Sequence, residues 1–245
     1  MLDKEKDLRI NELLKRVTTI SKKMPEIVFT YFVNFEKSKT IKPFYNLFAE
    51  SLLSLFSFSF LYLNQAWSQA SSLLRTSIEQ VSKVVVLCNN KDLIEEFLNL
   101  KKEADYYNNL PSKDEKDAYL LNLNLDQNGF NNYVEYGWAK NLLGKEPTRN
   151  DVIKLAKLGE TLIDIRTQLN AFVHGNMSIF DFYSESEKTE IMKKYGRRIA
   201  LICCKLFYLA YISFKNWGYA KDMSFETDEQ FISFKIKYKE LVENY

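Results

Sequence analysis

The sequence predicts an all-α fold, a single-domain multi-helix bundle, on three observations. Seven glycines and four prolines in 245 residues are too few to punctuate a sheet protein joined by tight turns. Apolar residues recur at helical spacing through long segments. The chain is 46% hydrophobic, with 18 Phe and 15 Tyr, enough to build a sizeable core at this length.

Taken in order, residues 3–24 carry Leu8, Ile10, Leu13, Leu14, Val17 and Ile20 among many charges, an amphipathic helix that Pro25 is expected to stop. The aromatic run 26–36 reads as a short helix or a strand, and 37–42 as a loop. Pro43 suits the first turn of the next helix. From Phe44 to Leu63 the chain is apolar nearly all round, as a central helix should be. Asn64, Gln65 and Ala66 interrupt it, and a second helix then runs to about Leu87, ending at Asn89 and Asn90. Asp92 to Tyr107 is amphipathic and Pro111 breaks it. Ser112 with Glu115 forms a capping box for a short helix. Residues 122–147, rich in Asn and Gly with scattered aromatics, read as an irregular surface insertion. Thr148 with Asp151 caps the helix that carries His174, and Gly175 ends or kinks it. Ser184 with Glu187 opens the last long helix, whose run 200–214 must be core, and Gly218 fits its stop. Thr227 with Gln230 starts a charged terminal helix. The organisation is therefore an N-terminal helical segment (1–42), a helical core domain (43–218) and a C-terminal helix (219–245).

Bulk properties narrow the function classes. A net charge of +2 does not mark a nucleic-acid binder, so any anionic partner needs a local patch. Cys88, Cys203 and Cys204 sit in apolar runs without metal-ligand spacing and read as buried thiols of a reducing compartment. The charged N-terminus lacks the apolar run of a secretory signal, which points to a cytoplasmic protein. Residues 51–74 contain no charge and are long enough to span a bilayer. Their serines, Asn64 and two glutamines favour a buried core helix, so no membrane partner is expected. Gly-rich phosphate loops, nucleophile elbows and di-iron pairs are absent, and no metal or cofactor is expected.

Chemistry concentrates at few residues. His174 is the chain's one histidine, and imidazole is the side chain that titrates nearest neutrality. Arg166, Asn170 and His174 recur every four residues, so on a helix they form one polar ribbon. The bland alternative is a histidine closing a helix C-terminus. Arg75 and Glu79 lie one turn apart after the uncharged stretch. They read either as a self-neutralised pair tying helices together or as a site wall, with Arg75 holding an anion and Glu79 orienting a base. Lys193, Lys194, Arg197 and Arg198 put four cations in six residues, a phosphate-contacting patch or a solvated helix face. Tyr133, Tyr136 and Trp138 suit base stacking or buried anchoring.

The order of an apolar helix, a break, a helix with Arg-x-x-x-Glu, an amphipathic helix ending in tyrosines and a later helix closing on Phe-Val-His-Gly resembles an uncharacterised bacterial all-helical family. More distantly it is similar to the HEPN superfamily of helical RNA-cleaving and nucleotide-binding domains. Leu74, Arg75, Glu79, Tyr106, Tyr107, Asn170, Phe172, Val173, His174 and Gly175 carry the resemblance, which covers roughly residues 45–216. It implies a HEPN-like core with extra terminal helices and metal-independent ribonuclease activity, as in a toxin or phage-defence effector. His174 would move the proton, and Arg75 or Arg166 would stabilise phosphoryl charge. Asn170 would contact substrate, and Glu79 would hold the arginine or the imidazole. The implied partners are RNA or a nucleotide, a second copy in a homodimer, and a protein antitoxin or regulator. The HEPN nuclease signature places four to six residues between arginine and histidine. Here seven separate Arg166 from His174, so either Arg75 supplies the guanidinium or the domain is a non-catalytic module binding a nucleotide, RNA or protein.

Overall fold

Every regular element described by the computed structural model, which covers residues 2–33, 38–157, 160–173, 185–217 and 224–243, is helical. In chain order these are α1 (Leu2–Val33), α2 (Ser38–Leu63), α3 (Trp67–Asn89), α4 (Leu93–Asn108), α5 (Lys113–Asn122) and α6 (Gln127–Tyr136). A 3₁₀ turn at Gly137–Ala139 leads into α7 (Lys140–Leu143), α8 (Arg149–Leu155), α9 (Glu160–Val173), α10 (Glu185–Asn216) and α11 (Asp228–Glu243). The all-α class expected from the sequence holds among these residues.

α3 is the axis of the bundle. It packs on α2, α10, α9 and α8, and buries Ala70, Leu74, Ile78, Val81, Val84, Val85 and Leu87. α2 and α3 form a helical hairpin whose three-residue turn places Gln65 in the left-handed region, at φ 63°. α1 lies along α2 and also meets α10 and α11. The terminal helices share the main core, since Leu14, Val17 and Ile20 from α1 and Phe231, Phe234 and Leu241 from α11 belong to it. Stacked rings close that end of the bundle: Phe48 on Phe214 at 3.9 Å and Tyr211 on Phe231 at 3.9 Å.

Four local expectations are corrected. α1 does not stop at Pro25 but runs through it to Val33, and 26–33 is helix rather than strand. Pro25 removes one intrahelical hydrogen bond, but Met24 and Val28 are fully buried on either side of it, and that packing carries the helix across. α2 is already helical at Ser38, which places Pro43 inside it rather than at its first turn. The Thr148–Asp151 capping box forms, with Thr148 N donating to Asp151 Oδ2 at 2.9 Å. It opens the short α8, however, and α9 is a separate helix, because Lys157 turns the chain at φ 53°. At α11 the start expected at Thr227 holds, with the helix beginning at Asp228, but the side-chain cap does not form. The Thr227 hydroxyl is spent on Met24 Sδ and Tyr211 rather than on a cap, and Asp228 Oδ2 accepts from Phe225 N at 2.9 Å.

The segment 122–147 is mostly helical rather than irregular. Asp126 caps α6 by accepting from Gly129 N at 2.6 Å, and Gly144 closes α7 at φ 65°. Asn and Gly are weak helix formers, so burial supplies the stability that propensity does not. Phe130, Tyr136 and Trp138 are all buried, and Trp138 Nε1 donates to Glu135 O at 2.9 Å. These aromatics are anchors. A satellite cluster of Tyr107, Leu120, Phe130 and Val134 joins α4, α5 and α6 beside the main core.

The three cysteines are buried and free, and burial pushes the Cys203 thiol up to about 12. Two helical stretches among the described residues, Lys42–Leu63 and Lys193–Asn216, are long and apolar enough to cross a membrane, with 39% and 61% of their most apolar windows buried in the bundle. α2 packs on α1, α3 and α10 and sends Leu52, Leu55 and Phe58 into the core.

If 122–147 belongs to the core, Trp138→Ala should cost about 3–5 kcal/mol of unfolding free energy. Urea denaturation checks this; a loss near that of an ordinary surface substitution would return the segment to the surface.

Candidate functional site

One carboxylate organises the centre of the site. Glu79, on α3, accepts from Arg166 Nε of α9 at 2.7 Å. Arg149 Nε of α8 stands 3.2 Å from its other oxygen, and Arg75 Nε, one turn before it on α3, stands at 3.9 Å. Three guanidiniums from three helices therefore meet one carboxylate, leaving two positive charges in excess. Arg166 is 7% exposed and holds Glu79 from inside the bundle. Arg149 Nε donates to the Tyr136 hydroxyl at 2.9 Å, which fixes its plane. Among the described residues, no hydrogen bond is made by the Arg75 guanidinium or by the terminal Nη atoms of Arg149 and Arg166.

A second carboxylate repeats the arrangement on the next turns. Lys83 of α3 donates to Glu135 Oε2, and Lys101 of α4 donates to Glu135 Oε1 at 2.8 Å. Lys83 Nζ also sits 4.8 Å above the Tyr136 ring, so Tyr136 touches both clusters. Burial acts to raise the Glu135 carboxyl, but Lys83 and Lys101 outweigh it and hold the group at about 2. Burial also raises the Tyr136 phenol, which stays a neutral partner for Arg149.

Both clusters border a cleft of about 860 Å³, within the range of small-molecule sites. Lys83, Lys101, Arg149, Glu79 and Glu135 line it, joined by carboxamides from α2, α3 and α6. Among the described residues, no group of three or more His, Cys, Asp or Glu is placed to hold a metal ion.

Of the residues singled out from sequence, the structure brings Arg75, Glu79 and Arg166 together. α9 packs on α3, and residues 87 apart in the chain bond directly. Asn170 lies on α9 one turn beyond Arg166, but its side chain is outside the described residues, and so is His174, which follows the last residue of α9.

In the basic patch, Lys193, Lys194 and Arg198 are exposed. Arg197 is turned inward: Nε and Nη2 donate to Asp7 at 2.6 and 2.9 Å, and this pairing depresses the Asp7 carboxyl. Gly196 belongs to the same contact, since a Cβ there would stand 3.2 Å from the Tyr62 hydroxyl. The patch meets the end of α2 away from the cleft, about 18 Å along the helix from Glu50 to Tyr62. It lies nearer to Arg75, because Tyr195 faces Ser71, one turn before Arg75 on α3.

Lys83, Lys101, Glu135 and Arg149 were not reached from the sequence, and Tyr136 was reached only as a residue suited to base stacking or buried anchoring. Lys83 offered a signal, being the lone charge in Val81–Cys88, a run that is otherwise apolar apart from Ser82. Arg149 and Glu135 offered none, because their partners lie on other helices. No protein-family model, curated protein or solved structure matches the chain.

The Glu135 cluster makes stability depend on pH in a defined direction. Its carboxyl ionises near 4.5 when free and near 2 in the fold. The stabilisation is therefore complete above about 4.5 and lost as pH falls toward 2. With its side chain 40% exposed, solvent screening reduces the contribution to about 1–2 kcal/mol. Glu135→Gln should be less stable than the parent by that amount at pH 7 and equal to it near pH 2; a gap that persists unchanged in acid would contradict the assignment.

Proposed function

We propose that the protein acts on RNA as a HEPN-like, metal-independent ribonuclease in which the arginine cluster holds phosphate and His174 moves the proton. What supports this reading is the excess of guanidinium over carboxylate at Glu79. Three arginines surround one negative charge, and the Arg75 guanidinium, ion-paired with Glu79 at 3.9 Å, and the Nη atoms of Arg149 make no hydrogen bond among the described residues. Fixed cations of this kind stabilise charge that grows on phosphoryl oxygens. In the sequence His174 directly follows α9, the helix that supplies Arg166.

In this mechanism His174 takes the proton from a ribose 2′-hydroxyl. The 2′-oxygen attacks the adjacent phosphorus, the bond to the 5′-oxygen breaks, and a proton is returned to that oxygen. The products are a 2′,3′-cyclic phosphate and a free 5′-hydroxyl, with no metal or redox partner in the balance. Arg75 faces the phosphoryl oxygens, while Glu79 and Arg166 position it. Lys193, Lys194 and Arg198, exposed on α10, would hold flanking phosphates. By the same resemblance the active form is a homodimer in the cytoplasm, restrained as a toxin or defence effector by a protein regulator.

A second reading is a binding module without turnover. It is favoured by Glu79 itself, whose carboxylate sits among the guanidiniums where a phosphate would have to approach. The two readings separate on one assay with purified protein and single-stranded RNA. Cleavage that yields cyclic phosphate ends should fall about 10²–10⁴-fold in His174→Ala and by at least about tenfold in Arg75→Ala, with thermal melting unchanged in His174→Ala. Undiminished cleavage by His174→Ala would remove the ribonuclease proposal, and RNA binding without cleavage by the parent protein would establish the module instead.

A further inference from the structure

We infer that the cleft beside Glu79 and Glu135 is a ribose-phosphate site, one that recognises the sugar and its phosphate and leaves a base unread. The inference does not use His174, and it deepens the RNA reading by naming what the protein would touch. The anion end is Arg149. Its Nε is fixed by the Tyr136 hydroxyl and stands beside Glu79, and its two Nη atoms carry no hydrogen bond among the described residues while the side chain lines the cleft. A guanidinium held at one edge with its fork open is a preformed bidentate receptor for phosphate.

The rest of the cleft has the opposite character. Asn128, Asn131 and Asn132 lie at i, i+3 and i+4 on α6 and share one face. Asn131 has used only its carbonyl, accepting from Gln127, and Asn132 only its amide hydrogens, donating to Pro147 O. The Asn128 side chain makes no hydrogen bond among the described residues. Carboxamides offer both donors and acceptors, matching hydroxyls, which are also both. Glu50 and Asp105 on the cleft lining add acceptors for hydroxyl hydrogens and oppose a second anion. A ligand with one anionic end and a hydroxyl-rich body fits this set.

The aromatic groups exclude base stacking. Phe97 is 1% exposed and Tyr136 6% exposed, and a lysine ammonium lies over each ring. No face is open for a base, so neither ring can serve as the platform that single-strand binders use.

The test is titration of the full chain with ribose 5-phosphate, followed by calorimetry or amide chemical shifts. Saturable binding is expected, at least about tenfold tighter than that of ribose or inorganic phosphate alone. Asn131→Ala, an exposed change, and Arg149→Lys, which keeps the charge but loses the fork, should each weaken it by about tenfold. Melting of Asn131→Ala should stay at the parent value. A short single-stranded RNA that competes with ribose 5-phosphate, where DNA of the same sequence does not, identifies the strand backbone as the source. Failure of RNA to compete identifies a free sugar phosphate. No binding at millimolar ligand, or parental affinity in both variants, would overturn the inference. That result beside His174-dependent cleavage would leave the ribonuclease reading standing, whereas ribose-phosphate binding without cleavage would remove only that reading.

Discussion

The carboxylate of Glu79 is the point on which the arrangement depends. It sits on the central helix and receives guanidiniums from α3, α8 and α9. Without it, Arg166 would be a charge inside the bundle with no counterion, a situation that costs about 3–5 kcal/mol when one partner of a buried pair is removed. The same contact fixes where α9 lies against α3. It also supplies one side of the restraint on Arg149. Structural and chemical roles therefore converge on one group.

The second carboxylate, Glu135, extends this logic. Tyr136 accepts from Arg149 through its hydroxyl and lies under Lys83 through its ring, so the two ion clusters are coupled through one side chain. Together they fasten α4, α6 and α8 to α3 along one wall of the cleft. Ion pairs of this sort are a poor source of net stability, because desolvation offsets most of the attraction. Their value lies in position: a charged group already held by one edge loses little freedom when its other edge meets a ligand.

Helical architecture was legible because periodicity and the scarcity of Gly and Pro are local signals. Pro25 misled for the same reason: a local rule ends the helix, and burial of Met24 and Val28 continues it. The segment 122–147 misled in the opposite direction, since Asn-rich composition hides Phe130 and leaves Tyr136 and Trp138 readable as either stacking platforms or anchors. At the site, the Arg75–Glu79 spacing was visible within one helix, and the uncharged stretch before it marked the pair as unusual. The partners Arg149 and Arg166 were not visible as a set, because nothing in a linear chain states which helices will face each other.

The central claim is that Glu79 and Arg166 form one energetic unit across α3 and α9. A double-mutant cycle measures it directly, with urea unfolding of Glu79→Gln, Arg166→Gln and the combined variant. The account predicts that each single change is costly, that the double costs far less than their sum, and that the coupling reaches at least about 2 kcal/mol. Additivity within about 0.5 kcal/mol would show two independent side chains and contradict the account.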